Sequence, residues 1–134
     1  MDEKHIRFGE YIRRKRISDP RELTMKDVAD RLGIKKSYMS LVENSFKKPF
    51  DNEKLEILAE YLELTEEETE TMYDLASREK NEVPHDIEET FADDEIGGLA
   101  RYALRQSKKG VFKEEDWKRF IRETEAKKKE EQEE

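Results

Sequence analysis

The chain has no cysteine, only five glycines and only three prolines in 134 residues. The lack of cysteine excludes a disulfide framework and thiolate zinc sites. The scarcity of glycine and proline predicts long helices joined by short turns. Leu, Ile, Val and Phe account for only 28 residues, close to the level of disordered chains, so the apolar core must be small. This composition argues against a large enzyme with a deep apolar pocket.

Histidine is also scarce, and long apolar runs are absent. His5 and His85 are far apart in sequence and leave little for acid–base chemistry near neutral pH, so we expect no enzyme activity, no metal site and no cofactor. No run approaches the roughly 18 apolar residues of a membrane span, and the first residues do not begin a signal peptide. We therefore expect a soluble, intracellular protein without a membrane partner.

Charge is abundant and unevenly distributed. Charged residues make up 46% of the chain, and the formal net charge is −8. Residues 1–50 carry 13 basic and 8 acidic side chains, residues 51–100 carry 3 and 18, and residues 101–134 carry 11 and 9. A basic block beside an acidic one is typical of a protein in which one part meets a polyanion. Alternatively, highly charged surfaces segregate by chance.

The apolar pattern of residues 1–80 predicts five helices and almost no strand, hence an all-α fold. Thr24 is a candidate N-cap for the second helix, and Gly33 permits the left-handed turn that ends it. Thr65 with Glu68 is a capping box that opens the fifth helix. The predicted helices are His5–Ile17, Met25–Leu32, about Lys36–Asn44, a segment that starts after Asp51 or Asn52 and contains Leu55 to Leu62, and a segment from Thr65 to near Lys80.

Residues 81–85 mark a break, after which two shorter amphipathic patterns follow. We predict a helical domain over residues 1–80, a C-terminal helical extension over 81–122 and a charged tail over 123–134. The two apolar stripes either form a dimer contact or fold back on the fourth and fifth helices of the same chain. The stripes consist of Ile96, Leu99, Ala100, Ala103 and Leu104, and of Trp117, Phe120 and Ile121.

Residues 23–45 carry the functional signal. An eight-residue helix, a Gly-Ile turn and a second short helix form the arrangement in which the second helix enters the DNA major groove. The segment resembles the Cro/repressor-type, or Xre, family of bacterial and phage helix-turn-helix regulators over about residues 8–64. The resemblance rests on Leu23-Thr24, Val28-Ala29, Leu32-Gly33-Ile34, Ser37, Met39-Ser40, Val42-Glu43 and the Leu-rich helix after Pro49.

The resemblance implies a five-helix repressor-like domain and a role for individual residues. Arg16 and Glu43 match a structural ion pair between the first and third helices. Two positions depart from the family pattern: Met25 replaces a common glutamine, and Ser45 replaces a usual glycine. The positions that match base-reading residues are Lys36, Ser37, Tyr38 and Leu41, and those that we assign to DNA phosphates are Thr24, Lys35, Asn44, Lys47 and Lys48.

The expected function is a sequence-specific regulator of transcription, a repressor that binds a double-stranded DNA operator as a homodimer. The resemblance places such a protein in the cytoplasm of a bacterium or in a phage-infected cell, associated with the nucleoid. Two alternatives remain open. The chain could be an antitoxin that binds a protein partner through its acidic or C-terminal region and regulates its own promoter. It could also be a protein-binding adaptor that does not bind DNA.

Overall fold

The computed structural model describes residues 3–133, which form helices without a β-strand. The predicted all-α class is confirmed. The first two residues of the predicted first domain, Met1 and Asp2, lie outside the described residues, as does Glu134, the last residue of the predicted charged tail. Two 3-10 turns, at Glu3–His5 and His85–Ile87, accompany these α-helices: α1 (Phe8–Ser18), α2 (Met25–Leu32), α3 (Lys36–Glu43), α4 (Asn52–Tyr61), α5 (Glu66–Lys80), α6 (Glu88–Ala92), α7 (Ile96–Lys108) and α8 (Glu114–Glu133).

The described residues form two compact units, which divide after Glu88. The predicted domain boundary at residue 80 coincides with the end of α5, but the next residues stay with the first unit. His85 explains why, since its ring lies 5.6 Å from that of Tyr73 and its Nε2 lies 3.0 Å from Glu56 Oε1. The chain after α5 is therefore fastened to α4 and α5.

Apolar residues at helical spacing build the core of the first unit. Phe8 and Ile12 of α1 are buried, as predicted, and so are Met39 and Val42 of α3. Helices α1 to α5 all contribute to this core, so α3 is held by the whole unit rather than by α2 alone. The other buried apolar residues are Ile6, Tyr11, Leu23, Val28, Ala29, Leu32, Phe50, Leu55, Leu58, Leu62, Met72, Tyr73, Leu75 and Ala76.

Three helix starts follow the predicted capping signals. Thr24 and Thr65 each accept a hydrogen bond from the backbone N–H three residues on, at 3.1 Å, and complete a capping box. Asp51 caps α4 by accepting from Lys54 N at 3.0 Å. Gly33 ends α2 in the left-handed region at φ 72°. These signals act within four residues and could be predicted because they need no tertiary contact.

The predicted start of α1 at His5 is wrong. His5 ends a separate 3-10 turn, and α1 begins at Phe8. The Phe8 N–H donates to Glu79 Oε2 at 2.6 Å, so a carboxylate from α5 accepts from the first turn of α1. Arg78 Nη2 also donates to the Ile6 carbonyl at 3.3 Å. The start of α1 is thus determined by α5, about 70 residues later in the chain.

Gly9 is the point of closest approach between α1 and α3. A Cβ atom at Gly9 would lie 2.6 Å from the Glu43 carbonyl oxygen and would also overlap the Val42 carbonyl. Only glycine lets the two backbones come this close. This contact sets the distance of α3 from the rest of the unit.

The second unit has little core of its own. Among residues 89–133 only Gly97 is buried, where α7 meets the backbone of α6. Trp117 Nε1 donates to Ser107 Oγ at 2.8 Å and joins the start of α8 to the end of α7. Residues 123–133 of the predicted charged tail are helical. Within residues 3–133 no helix has both the length and the apolar composition needed to cross a bilayer.

Candidate nucleic-acid interface

Helix α3 buries one side and exposes the other. Met39 is fully buried, whereas Lys36 and Ser37 are exposed. Tyr38 and Leu41 are 38% and 39% exposed, high values for large apolar side chains. All four residues predicted to read bases are therefore accessible to a ligand.

The N-terminus of α3 has no side-chain cap. Lys35 occupies the N-cap position without a capping hydrogen bond, and the N–H groups of Lys36, Ser37 and Tyr38 have no acceptor within residues 3–133. By contrast, α1, α2, α4 and α5 all receive a carboxylate or hydroxyl acceptor at this end. Open N–H groups and the positive end of the helix dipole favour an anion such as a phosphate.

The turn between α2 and α3 is short and tightly bonded. Gly33 adopts φ 72°, and Ile34 N donates to the Ala29 carbonyl at 3.0 Å. The Thr24 hydroxyl accepts from Asp27 N at 3.1 Å. Hydrogen bonds from the backbone and hydroxyl of Thr24 lower the pKa of Asp27, so its carboxylate stays charged beside that hydroxyl.

Arg16 and Glu43 are joined in the way that the family resemblance implies. Arg16 Nε and Nη2 donate to the two Glu43 oxygens at 2.7 and 2.9 Å, and Nη1 donates to the Leu23 carbonyl at 3.1 Å. Glu43 is only 4% exposed, and the hydrogen bonds to it raise the pKa of Arg16. A bidentate pair fixes orientation as well as distance, so it locks α3 to α1 and to the chain entering α2.

Tyr38 is supported from behind by an aromatic contact. Its ring centroid lies 6.1 Å from that of Phe50, which is buried between α3 and α4. Tyr38 and Phe50 line a shallow hollow together with Gly33, Ile34, Lys35, Asp51 and Lys54. This support restricts the Tyr38 ring while its edge stays accessible.

The lysines around α3 have no acidic partner in the part of the chain that the structure describes. Lys35, Lys36, Lys47 and Lys48 are exposed, and none forms an ion pair with another described residue. Lysines elsewhere in the first unit are neutralised by carboxylates at 2.8 to 3.6 Å, which holds for Lys15, Lys26, Lys54 and Lys80. The unpaired lysine charge of the unit is thus concentrated at both ends of α3.

The end of α3 adopts the backbone geometry that the family reserves for glycine. Ser45 has φ 64°, in the left-handed region, so the substitution of serine for glycine leaves the turn intact at some cost in strain. Asn44 Nδ2 donates to the Ser40 carbonyl at 2.8 Å and to Ser40 Oγ at 3.4 Å, and its amide group is exposed.

Arg13 was missed by the sequence reasoning. Its side chain is exposed and lines a shallow cleft with Asn44 and Ser45. The available signal was spacing: Arg13 precedes the ion-pairing Arg16 by one helical turn, so it emerges from the same side of α1. It extends the cationic surface from the loop after α3 onto α1.

Comparison with protein families agrees with this geometry. Residues 12–68 match the family model described as Helix-turn-helix. This segment is a Cro/repressor-type helix-turn-helix domain. The matched family is one of DNA-binding regulators, so residues 12–68 belong to a DNA-binding class of domain. No curated protein and no solved structure is significantly similar to the chain. The helix-turn-helix domain covers α2, α3 and α4, most of α1 and the start of α5.

Proposed function

We propose that this protein is a sequence-specific transcriptional regulator, acting as a repressor, whose helix α3 enters the major groove of duplex DNA. The proposal is carried by one observation: the helix that the helix-turn-helix family uses for recognition combines an accessible polar face, open N–H groups and unpaired lysines. A protein seated in the groove at a promoter would exclude the transcription machinery by occupancy alone.

Base recognition is assigned to the first turns of α3. Lys36 can donate to guanine O6 and N7, and the Ser37 hydroxyl can donate or accept at several base edges. Leu41, one turn after Ser37, offers an apolar contact to a thymine methyl. Tyr38, held by Phe50, lies beside this surface and reaches a base or the adjacent sugar.

Phosphate contacts are assigned to the residues that surround α3. Lys35 and the open N–H groups lie at its start, while Lys47 and Lys48 lie in the loop after it. The Thr24 hydroxyl and the Asn44 amide are exposed groups that can donate to a phosphate oxygen. Such contacts fix the register of a protein on DNA without reading sequence.

We further propose that two copies bind together. One recognition helix contacts too few bases to select a single genomic site, so proteins of this type read two half-sites about 34 Å apart. A two-fold symmetric operator would then match a two-fold symmetric dimer.

Single alanine substitutions at the start of α3 test the base-reading assignment. In a binding-site selection from random duplexes, Lys36→Ala and Ser37→Ala should each relax the preference at one position per half-site. The lost discrimination should be about 1–3 kcal/mol for a good base contact. Lys35→Ala is the matched control, since it removes the same charge one residue earlier and should weaken all sequences alike.

Two results would contradict the proposal. If Lys36→Ala and Ser37→Ala select the same sequence with the same stringency as the unmodified protein, α3 does not read bases. If the unmodified protein fails to retain duplex DNA even at low salt, where phosphate contacts are strongest, it is a protein-binding adaptor and not a DNA regulator.

A further inference from the structure

Helix α8 carries apolar side chains that the described chain leaves uncovered. Phe120 and Ile121 are 55% and 53% exposed in the middle of this 20-residue helix. Trp117, one turn earlier, is only half-buried, against Phe112 and Ser107. Helices in water owe most of their stability to burial of an apolar face, so this stripe needs a partner surface.

The charges of α8 are arranged symmetrically about Ile121. Glu114 and Glu115 lie seven and six residues before it, and Lys127 and Lys128 lie six and seven residues after it. Glu114, Ile121 and Lys128 are spaced by seven residues and therefore share one face of the helix. A second α8 running antiparallel across an axis at Ile121 would place its Lys128 beside Glu114 and its Glu114 beside Lys128. Glu115 and Lys127 lie about 120° around the helix from Ile121 and add charge of the same sign at the same two ends.

The charged groups are available for such a contact. Lys127 and Lys128 form no ion pair with any residue of the range 3–133. Glu114 and Glu115 contact Lys118 at 3.3 and 3.9 Å, but their side chains remain 82% and 81% exposed. Exposed pairs within one helix are weak and can rearrange to accept a second cation.

We propose that α8 is a homodimer interface, in which two copies pair antiparallel with Ile121 at the two-fold axis. The pairing covers Ile121 and the side of Phe120 next to it, and matches acidic to basic segments at both ends. A parallel pair would instead oppose like charges at both ends and is disfavoured. The inference rests on the proposed function only in that two half-sites require two copies.

Charge reversal on the full-length protein, without DNA, tests both the partner and the orientation. Sedimentation equilibrium of the unmodified protein should give a monomer–dimer equilibrium. Glu114→Lys with Glu115→Lys, and separately Lys127→Glu with Lys128→Glu, should each raise the dimer dissociation constant about tenfold or more, because both ends then oppose like charges. Combining all four substitutions restores opposite charges and should return the dissociation constant to near its original value.

Glu130→Lys with Glu131→Lys is the matched control. These glutamates lie nine and ten residues after Ile121, so their antiparallel counterparts fall at residues 112 and 111, before α8 begins. This variant makes the same change in charge and should leave the dissociation constant unchanged. Circular dichroism of every variant should show that the helix content is retained.

A monomer at every concentration would overturn the inference. So would a dimer whose dissociation constant is unchanged by both reversals, or a variant with all four substitutions that does not recover the original dissociation constant. If α8 instead packs against its own chain, the protein should remain a monomer at every concentration. Failure of the proposed function is distinguishable from all of these, because duplex retention by each variant is a separate measurement. A dimer that responds to charge reversal but retains no DNA would support this interface and reject the regulator.

Discussion

Gly9 illustrates how one residue without a side chain positions the recognition surface. Gly9→Ala improves helix propensity by about 1 kcal/mol, but its methyl group would displace the carbonyls of Val42 and Glu43. Overpacking of this kind costs about 1–3 kcal/mol, and more where backbone must move. We expect Gly9→Ala to lower the free energy of unfolding by about 1–2 kcal/mol net, measured by denaturant titration with far-ultraviolet circular dichroism.

Gly98 supplies the control, because it also lies inside a helix but has only the Arg101 side chain nearby, at 3.8 Å. Gly98→Ala should leave stability unchanged or raise it slightly. Equal stability of Gly9→Ala and the unmodified protein would mean that α1 can shift without cost and does not fix α3. Sequence reasoning had no means of finding Gly9, since the reason for glycine there lies in the backbone of α3, more than 30 residues away.

At the scale of helices, the sequence predicts those boundaries that depend only on neighbouring residues in the chain. The bounds of α2 were predicted to the residue because Thr24 and Gly33 define them by their own chemistry. The start of α1 was missed because Glu79 of α5 determines it. The predicted site behaves similarly: the accessibility of Lys36 follows from helical periodicity, whereas the position of Arg13 beside Asn44 and Ser45 depends on the contact between α1 and the end of α3.

The segment after α5 gives a prediction at this scale. His85 Nε2 lies 3.0 Å from Glu56 Oε1, its Nδ1 lies 3.5 Å from Glu88 Oε2, and the hydrogen bond to Glu56 raises the pKa of His85. A raised pKa in the folded state means that the protonated imidazole stabilises the fold. That contribution is complete below the unfolded pKa of about 6.5 and is lost as the pH rises through the folded pKa.

We therefore expect the unmodified protein to lose up to about 1 kcal/mol of stability from this pair between pH 5.5 and 8.5. His85→Gln and Glu56→Gln should each reduce that loss, measured as the difference in unfolding free energy at the two pH values. Glu53→Gln is the control, since Glu53 is exposed on the same helix and has no ion pair with another described residue. An identical pH dependence in all four proteins would show that His85 does not fasten this segment.

At the scale of the whole molecule, the net charge of −8 is the sum of segments of opposite charge, one of which forms a cationic surface. The first fifty residues carry a net positive charge, and their unpaired lysines lie around α3. The next fifty residues carry a net charge of −15, which would repel DNA wherever those side chains are exposed. We infer that this segregation orients the protein during association with DNA, in addition to adding affinity.

Substitutions in the loop after α3 test whether the lysines around this helix govern DNA binding. Lys47→Ala with Lys48→Ala removes two of the unpaired cations, so binding to all duplexes should weaken by a common factor. The slope of log affinity against log salt concentration should become shallower by about 1.8, or about 0.9 for each phosphate that is no longer neutralised. Lys108→Ala with Lys109→Ala changes the net charge equally at an adjacent lysine pair at the end of α7, and should leave the slope unchanged.

If both double variants flatten the slope alike, overall charge and not the surface around α3 governs binding. If the loop variant instead changes which sequence is selected, Lys47 and Lys48 read bases and do not merely hold the backbone.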